Sequence, residues 1–406
     1  MFEIIDRTAA EGYVAKVCFK TGPPRKVGVE LEWTVHHRDD PSRALDPASL
    51  VAALGRHAPA TLVPDSPHHP LPHGGILTVE PGGQVEISAP PSDAPATFFS
   101  AVDADSAYVK ALLASAGLVL GDEACDPHRP ARRILDTPRY VAMERAYDRH
   151  GPQGRVMMGG TASVQVCLDA GAPDRFVHRW RAVHAVGPVL LATFANSPRH
   201  AGRPLGWASG RMRTWFDIDP GLSRPPPPSD DPASDWARWA VDRPLLCVRR
   251  SDGDWLAPPG VTFGDWVDGA LPTRPTYDDL DYHLSTLFPL VRPRGYLEVR
   301  YLDAQPASRW LAPVALLTAL FAREATVDAA LALTKGSAGR WLAAARDGLA
   351  DPVLAAEAPA LLDLASRALP DLGLSPTTIS AVTAAAGRRL KQQQANQGRA
   401  SRGGAR

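Results

Sequence analysis

Glutamate residues recur in short segments whose alternation of polar and apolar residues is typical of β-strands. In residues 26–36 this alternation is strict, so Glu30 and Glu32 project from the same face of the predicted strand, about 7 Å apart. Glutamate is depleted in strands, and like charges on one face repel each other unless a cation lies between them. For this strand alone, a solvated polar face is the simpler interpretation.

Three more segments, residues 76–88, 157–169 and 294–301, alternate in the same way. A Pro-Gly-Gly turn divides the first of them, and two adjacent glycines near the start of the second would let a ligand approach the backbone closely. If the four segments share one sheet and one polar face, six side chains converge: Glu30, Glu32, Glu80, Glu86, Gln165 and Glu298.

Carboxylate and amide oxygens are hard ligands, which suit Mg²⁺ or Mn²⁺ better than Zn²⁺. The chain has only six lysines to balance such a cluster. Several acidic residues around more than one divalent ion are typical of sites that handle nucleotide phosphates. Arg300 follows Glu298 on the same face, where its guanidinium suits phosphate charge that develops in a transition state.

Helices are predicted around these strands. Asp46 and Pro47 form a typical helix start, with Asp46 as N-cap. Helical patterns cover residues 94–120, 138–149 and 174–195, and Ala/Leu-rich helices extend from about 305 to 386. We expect a single catalytic domain over residues 1–386, with a variable insert at 225–272. The polar end of the chain, residues 387–406, is expected to be a disordered tail.

Composition excludes several classes of protein. Lys+Arg and Asp+Glu both number 44, which argues against a nucleic-acid-binding protein that depends on net charge. The apolar runs are too short to cross a bilayer, and the N-terminus lacks the pattern of a signal peptide. The four cysteines are scattered, as is typical of reduced thiols in a cytoplasmic protein. There is no Walker-type phosphate loop and no Gly-x-Gly-x-x-Gly fingerprint.

Five motifs in order resemble those of glutamate–cysteine ligases of the branch shared by plants and bacteria. The resemblance covers residues 20–320 and is strongest to the actinobacterial form that feeds ergothioneine synthesis. The motifs are Gly28-Val-Glu-Leu-Glu32, Glu80-Pro-Gly-Gly-Gln-Val-Glu-Ile-Ser88, Thr161-Ala-Ser-Val-Gln-Val166, Ser209-Gly-Arg-Met-Arg-Thr-Trp215, and residues 283–300 with Arg292 and Tyr296-Leu-Glu-Val-Arg300.

The resemblance implies an α+β fold with a funnel-like antiparallel sheet flanked by helices, similar to the glutamine synthetase and guanidino kinase group. It implies two or three Mg²⁺ ions, or Mn²⁺, held by the six acidic and amide residues named above. Arg292 and Arg300 fall where the family contacts phosphate. The substrate-binding positions that it implies are Met158, Thr161, Arg211, Arg213 and Trp215. The insert at 225–272 departs from the family, which leaves the cysteine and adenine pockets unassigned.

The implied reaction has two steps. ATP phosphorylates the side-chain carboxylate of L-glutamate, and the amine of L-cysteine then attacks the acyl phosphate to give γ-glutamylcysteine. Two alternatives stay open: a carboxylate–amine ligase of the same fold that uses a different amine, and a catalytically silent protein that binds metabolites. No nucleic acid or membrane partner is expected, and a monomer is the simplest assembly.

Overall fold

The computed structural model of the protein describes residues 2–218 and 229–403, with side chains up to Gln392. The strands of this part of the chain are β1 (Val27–Trp33), β2 (Val35–His37), β3 (Ile76–Val79), β4 (Val85–Ser92), β5 (Leu118–Leu120), β6 (Ser163–Leu168), β7 (Arg199–His200), β8 (Arg203–Pro204), β9 (Val291–Pro293) and β10 (Leu297–Asp303).

The helices surround these strands, and five of the sixteen that the structure describes follow the sheet in the last hundred residues. They are α1 (Arg7–Cys18), α2 (Pro47–Leu54), α3 (Pro95–Ser115), α4 (Pro138–Asp148), α5 (Gln153–Gly160), α6 (Phe176–Ala185), α7 (Gly187–Phe194), α8 (Gly210–Ile218), α9 (Pro232–Val241), α10 (Phe263–Val267), α11 (Tyr277–Leu284), α12 (Leu311–Leu320), α13 (Glu324–Leu333), α14 (Trp341–Arg346), α15 (Pro352–Ala368) and α16 (Pro376–Gly403). Short 3₁₀ turns cover Gly55–His57, Gly348–Ala350 and Leu369–Leu372.

Six strands form the central sheet in the order β3-β4-β1-β6-β10-β9, and every neighbouring pair is antiparallel. Helices α7 and α12 pack on this sheet against β10 and β6. The predicted α+β class, with an antiparallel sheet flanked by helices, is therefore confirmed. All four predicted strand segments contribute to one sheet, as the alternation of their residues indicated.

One face of the sheet is part of the main hydrophobic core. Val29, Leu31, Ile87, Val166 and Val299 each expose 1% of their surface or less. Because side chains alternate along a strand, the residues between them project from the opposite face. The buried apolar face therefore fixes the register that carries the polar side chains onto the other face.

The strand predicted from residue 157 begins only at Ser163. Residues Gln153–Gly160 form α5 instead, and Thr161 adopts an extended conformation at its C-terminal end. The reason for the two glycines also differs from the prediction. A Cβ atom on Gly82 would lie 2.2 Å from the carbonyl oxygen of Gly159. The glycines therefore allow the turn after β3 to pack against the end of α5, backbone to backbone.

Two predicted helices are shorter than their patterns indicated. The helix predicted over 94–120 ends at Ser115, and Gly117, with φ +73°, turns the chain into β5. The helix predicted over 174–195 divides into α6 and α7 at Val186. Pro188 lies at the start of α7 and has no N–H to donate to the preceding turn, so a single helix cannot continue through it.

The predicted boundaries at the insert and the tail also shift. Residues 225–228 and 404–406 lie outside the described residues, but residues 232–241 of the insert form α9, which packs against α1. Trp236 of α9 is 1% exposed, so this helix belongs to the core. The boundary at 386 falls inside α16, where Leu390 packs against the core and Arg389 donates to the carbonyl of Ala195.

Among the described residues, no helix combines the length and apolar character needed to cross a membrane. The four cysteines are all free thiols, as predicted from their scattered positions.

Candidate active site

A cavity of about 400 Å³ opens on the polar face of the sheet. Four acidic residues from the β1, β3 and β4 region line one part of it, and arginines from the β9 and β10 region line another. Most of the predicted site residues lie on its wall: Glu30, Glu32, Glu80, Glu86, Met158, Thr161, Gln165, Arg211, Trp215, Arg292 and Arg300. The antiparallel sheet therefore brings together residues that are up to 270 positions apart in sequence, from Glu30 to Arg300.

The strand register places the acidic residues side by side. Glu32 of β1 lies directly opposite Glu86 of β4, and Glu30 lies opposite Gln165 of β6. Directly opposed residues on antiparallel strands have Cβ atoms about 5 Å apart. Glu80 follows β3 in the turn that leads into β4, where its N–H donates to the carbonyl oxygen of Gln84 at 2.8 Å. Glu80 is thus held at the end of the same polar face.

Hydrogen bonds fix the orientation of the Gln165 amide. Its Nε2 donates to Oε1 of Glu32 at 2.6 Å, and its Oε1 accepts a hydrogen bond from Nη1 of Arg300. Glu32 also accepts a 2.8 Å hydrogen bond from the N–H of Ser163. Gln165 therefore connects the acidic part of the cavity to the arginines, with its amide nitrogen towards the carboxylate.

Burial and mutual repulsion disfavour the charged form of three carboxylates. Burial, followed by the charge of Glu298, raises the pKa of Glu30 to about 7. Burial, followed by the charge of Glu32, raises the pKa of Glu80 to about 7. The pKa of Glu86 is raised well above its ordinary value by burial and then by Glu30 and its other acidic neighbours. Such a set of carboxylates has a strong tendency to take up cations.

The donor set fits the divalent ions that the sequence predicted. Carboxylate oxygens are ligands that Mg²⁺ and Mn²⁺ prefer. Three of the carboxylates in the cavity have raised pKa values, and no lysine is among the residues that line it. Glu30, Glu32, Glu80 and Glu86 are the residues that would hold such ions. In the described part of the chain, however, no three His, Cys, Asp or Glu side chains converge closely enough to bind one metal ion. Mg²⁺ commonly binds to one or two carboxylates and completes its coordination with waters and substrate phosphates.

Glu298 does not line the cavity, in contrast to its predicted role as a metal ligand. It is fully buried beneath two arginines. Arg292 donates to both of its carboxylate oxygens, one at 3.0 Å, and Arg300 lies 3.3 Å from it. Burial raises the pKa of Glu298, but the charges of Arg292 and Arg300 outweigh this effect and lower the pKa to about 2. In this arrangement Glu298 orients the arginines of the cavity.

A buried ion pair supports the opposite end of β10. Arg211 in α8 is 2% exposed, and its guanidinium lies 3.8 Å from Asp303 and donates to the carbonyl of Arg300 at 2.7 Å. Asp303 also accepts hydrogen bonds from the hydroxyls of Ser197 and Ser209 at 2.7 and 2.9 Å. Arg211 therefore reaches the cavity wall while most of its donors are used to hold α8 against β10.

A β-bulge brings Asp303 to this position. Between Val299 and Leu302 the register of β10 shifts by one residue relative to β6. The extra residue reverses the alternation beyond it. Asp303 consequently faces the same side as Glu298 although the two positions differ by an odd number. The predicted strand segment ends at residue 301, and a strict alternation continued to Asp303 would place its side chain on the apolar face.

Two N–H groups at the part of the cavity that the arginines line have no hydrogen-bond partner among the described residues. They are Nε1 of Trp215 and Nε of Arg300, and both are buried. The guanidinium carbons of Arg211 and Arg300 lie 5.1 and 5.7 Å from the centre of the Trp215 ring. These contacts hold the indole in place, and the two free N–H groups can donate to an anionic or carbonyl oxygen of a ligand.

Arg213, which was predicted to bind substrate, does not line the cavity. Its guanidinium lies 3.4 Å from Asp217 and 5.6 Å from the centre of the Trp207 ring, and it is 37% exposed. Because successive residues of a helix project about 100° apart, Arg211 and Arg213 point to different sides of α8. The structure thus separates two arginines that the family resemblance had implied as substrate-binding residues.

Two further arginines line the cavity and were not predicted, Arg139 and Arg294. Arg139 donates to the hydroxyl and the carbonyl of Ser285, at 3.0 and 2.9 Å. It lies in the first turn of α4, where the helix dipole disfavours a cation. That unfavourable position was the signal in the sequence that Arg139 serves another purpose. Arg294 follows β9 in a tight turn and offered no comparable signal.

Comparison with known proteins places the chain in a family. The model of glutamate-cysteine ligase family 2 matches residues 26–392. The glutamate–cysteine ligase EgtA of Mycolicibacterium smegmatis is 40% identical over 380 residues, which cover 90% of this chain and 86% of that protein. EgtA of Mycobacterium tuberculosis is 39% identical over 377 residues, 91% of this chain and 85% of that protein.

A more distant relative carries the same enzyme name, and a solved structure matches the fold. The chloroplastic glutamate–cysteine ligase of Brassica juncea is 31% identical over 286 residues, which cover 68% of this chain and 55% of that protein. Among solved structures, a glutamate–cysteine ligase of Francisella tularensis in complex with AMP matches the fold with a TM-score of 0.52 at 13% identity. The match covers 93% of this chain and 84% of that one. The chain is therefore a ligase and belongs to glutamate-cysteine ligase family 2.

Proposed function

We propose that the protein joins the side-chain carboxylate of L-glutamate to the amine of L-cysteine with consumption of ATP. The products are γ-glutamylcysteine, ADP and phosphate, and we propose ergothioneine synthesis as their destination. The observation that carries the proposal is the division of one cavity into an acidic wall and an arginine wall. Relatives at 39–40% identity over nine-tenths of the chain carry the name glutamate–cysteine ligase.

The acidic wall suits the phosphates of ATP only when cations are present. Glu30, Glu32, Glu80 and Glu86 would hold two or three Mg²⁺ ions, with Mn²⁺ as a substitute. Such ions would supply charge neutralisation at phosphate oxygens, which lowers the barrier to phosphoryl transfer. Without them, four carboxylates would repel a nucleotide. The raised pKa values of three of these residues support this need for cations.

The arginine wall suits the oxygens of the transferring phosphoryl group and the carboxylate that receives it. Arg292 and Arg300 are held in place by Glu298, so their guanidinium groups are already oriented before a ligand enters. Donors that are fixed in advance stabilise developing charge most effectively. Arg300 still has a free Nε–H, which can donate to a phosphate oxygen.

Activation of the carboxylate is required by its chemistry. A carboxylate is a poor electrophile, because its negative charge repels an amine and its oxygen is a poor leaving group. Transfer of the terminal phosphoryl group of ATP gives a γ-glutamyl phosphate, with ADP released. The neutral amine of cysteine then forms the C–N bond and phosphate departs with one carboxylate oxygen. Trp215, with its free Nε1–H in the cavity, is our candidate for binding glutamate, with Arg211, Met158 and Thr161 near it.

Four free cysteines in the described fold are consistent with a reducing compartment, and we propose that the enzyme acts in the cytoplasm. We propose a monomer as the active form, because it is the simplest assembly.

The experiment that tests the function is a comparison of amines. The protein is incubated with ATP, Mg²⁺ and glutamate, and ADP release is measured with cysteine, alanine, 2-aminobutyrate, glycine or ammonia. We expect γ-glutamylcysteine by mass spectrometry and ADP release that is fastest with cysteine. Equal rates with all amines would point to a related ligase of different specificity. No ADP release with any amine would contradict the proposal.

A further inference from the structure

A second cavity, of about 510 Å³, lies among the helices that cover the apolar face of the sheet. Its walls come from the end of α7, the segment between β10 and α12 together with the start of α12, and residues 381–392 of α16. It shares no lining residue with the cavity described above. Its volume is within the range of about 300–1,000 Å³ that is typical of sites for small molecules.

Three arginines line this second cavity, Arg309, Arg388 and Arg389, and none of its lining residues is acidic. Among the described residues, none of the three forms an ion pair with a carboxylate within 4 Å, whereas arginines elsewhere in the fold commonly do. The side chains beyond Gln392 cannot supply the missing charge. Residues 372–406 contain five arginines and one lysine but no aspartate or glutamate.

Arg389 is the innermost of the three. Its Nη2 donates to the carbonyl oxygen of Ala195 at 2.7 Å, but its buried Nε has no hydrogen-bond partner among the described residues. Burial lowers the pKa of Arg389, and the charge of Arg309 lowers it further, against the opposing effect of Asp303. A guanidinium in these surroundings gains most from an added anion.

The rest of the wall is apolar apart from three neutral polar residues, Gln305, Ser308 and Gln392. Phe194 is 1% exposed and Val382 is 2% exposed, and Leu311 lies beside them on the wall. A bare inorganic ion would leave this surface in contact with water. An occupant that satisfies both parts of the wall has an apolar body with a charged end.

We propose that this cavity binds a small organic anion, with a phosphate or carboxylate group held by Arg309, Arg388 and Arg389 and an apolar body packed against Phe194 and Val382. The site is separate from the proposed ligase cavity and does not depend on the proposed reaction. Phosphate and carboxylate present similar oxygen acceptors to a guanidinium. The experiment therefore uses one probe with a phosphate group and one with carboxylate groups to distinguish the two.

The test measures binding to the full-length protein in EDTA by isothermal titration calorimetry. The probes are phenyl phosphate and isophthalate, with inorganic phosphate for comparison.

Arg309 and Arg388 are both exposed, so the double variant R309Q/R388Q keeps the fold. Arg389 is left intact, because it holds Ala195, whose neighbour Asn196 donates to Asp303 at 2.8 Å. The matched control R25Q/R203Q removes two exposed arginines that lie outside the cavity.

We expect one of the two aromatic probes to bind the wild type, and inorganic phosphate to bind more weakly. The affinity should fall about tenfold or more in R309Q/R388Q, because two charge-assisted contacts are removed. It should change by less than about twofold in R25Q/R203Q, since exposed charges are screened by salt. Ligase turnover and melting temperature without probe should be unchanged in both variants. The proposal is overturned if neither probe binds the wild type, if R309Q/R388Q binds as well as the wild type, or if both double variants lose affinity equally.

Discussion

Glu32 and Glu86 lie directly opposite each other on neighbouring antiparallel strands, with Gln165 on one side and Glu80 at the end of the same face. Like charges in directly opposed positions destabilise a sheet. The apolar residues on the other face of β1 and β4 nevertheless impose this register, because a shift by one residue would expose them to solvent. The fold thus holds the two carboxylates together in spite of their repulsion.

Removal of one of these charges should increase stability and abolish activity. In E86Q, we expect the free energy of unfolding in EDTA to rise, by up to about 1 kcal/mol, because a buried carboxylate whose ionisation its acidic neighbours oppose is replaced by a neutral amide. Turnover with Mg²⁺ should fall by about a hundredfold or more, because a proposed metal ligand is lost. Urea denaturation and ADP release measure the two effects. The control E3Q, at an exposed position, should change neither. A less stable but active E86Q protein would contradict this interpretation of the acidic wall.

The pH dependence of stability should report the raised pKa values of Glu30 and Glu80, both about 7. In the unfolded chain glutamate titrates near pH 4.3. Between these values the folded state binds more protons, so these two groups make the free energy of unfolding fall as pH rises. His36, His184 and His283 have lowered pKa values of about 4 and act in the opposite sense.

The effect of the two glutamates on stability is therefore measured by comparing the wild type with the double variant E30Q/E80Q. In EDTA, the free energy of unfolding of the wild type minus that of E30Q/E80Q should decrease from about pH 4.5 to pH 7. The contribution of the histidines is the same in both proteins and cancels in this difference. With saturating Mg²⁺ the difference should no longer fall, because bound cations favour the ionised carboxylates. Urea denaturation at pH 5 and pH 7.5 is sufficient. A difference that rises with pH in EDTA would show that the two groups are not buried near other negative charges.

The ion pair between Arg211 and Asp303 should be important for stability. In D303N the guanidinium of Arg211 is left buried without a counter-charge, and we expect the free energy of unfolding to fall by about 3 kcal/mol. The exposed pair Arg213–Asp217 provides the control. D217N should cost less than about 1 kcal/mol. Equal losses in the two variants, measured by urea denaturation, would be inconsistent with the buried position of Asp303.

Arg300 and Arg213 should differ sharply in their effect on catalysis. R300Q removes a guanidinium that faces the cavity, and we expect kcat to fall by about a hundredfold or more. R213Q should leave kcat and KM within about twofold of wild type, because its side chain lies outside the cavity. Steady-state kinetics with glutamate as the varied substrate distinguishes the two. A large increase in KM for R213Q would restore the substrate-binding role that the family resemblance implied for Arg213.

Strand alternation predicted the central features of this fold because it depends on burial alone. The apolar residues of β1 had to face the core, so the position of Glu30 and Glu32 on the opposite face followed. The same argument placed Gln165 and Glu86 correctly. It could not predict the bulge in β10, because one additional residue leaves no mark in the hydrophobic pattern. For this reason Asp303 was assigned to no site.

Contacts between distant segments account for the other differences. Glu298 has the predicted orientation, but its pairing with Arg292 depends on how β9 approaches β10. The glycines at 159 and 160 were predicted to let a ligand approach the backbone, but the turn at Gly82 occupies the space beside Gly159. Arg139 reaches the cavity only because α4 begins there. None of these distances is contained in the local sequence.

The fate of one oxygen atom tests the central claim most directly. Glutamate labelled with ¹⁸O in its side-chain carboxylate is incubated with the protein, ATP, Mg²⁺ and cysteine, and the released phosphate is analysed by mass spectrometry. If the carboxylate is phosphorylated before the amine attacks, each γ-glutamylcysteine formed is accompanied by one phosphate that carries ¹⁸O. Formation of γ-glutamylcysteine with unlabelled phosphate would contradict activation through a γ-glutamyl phosphate.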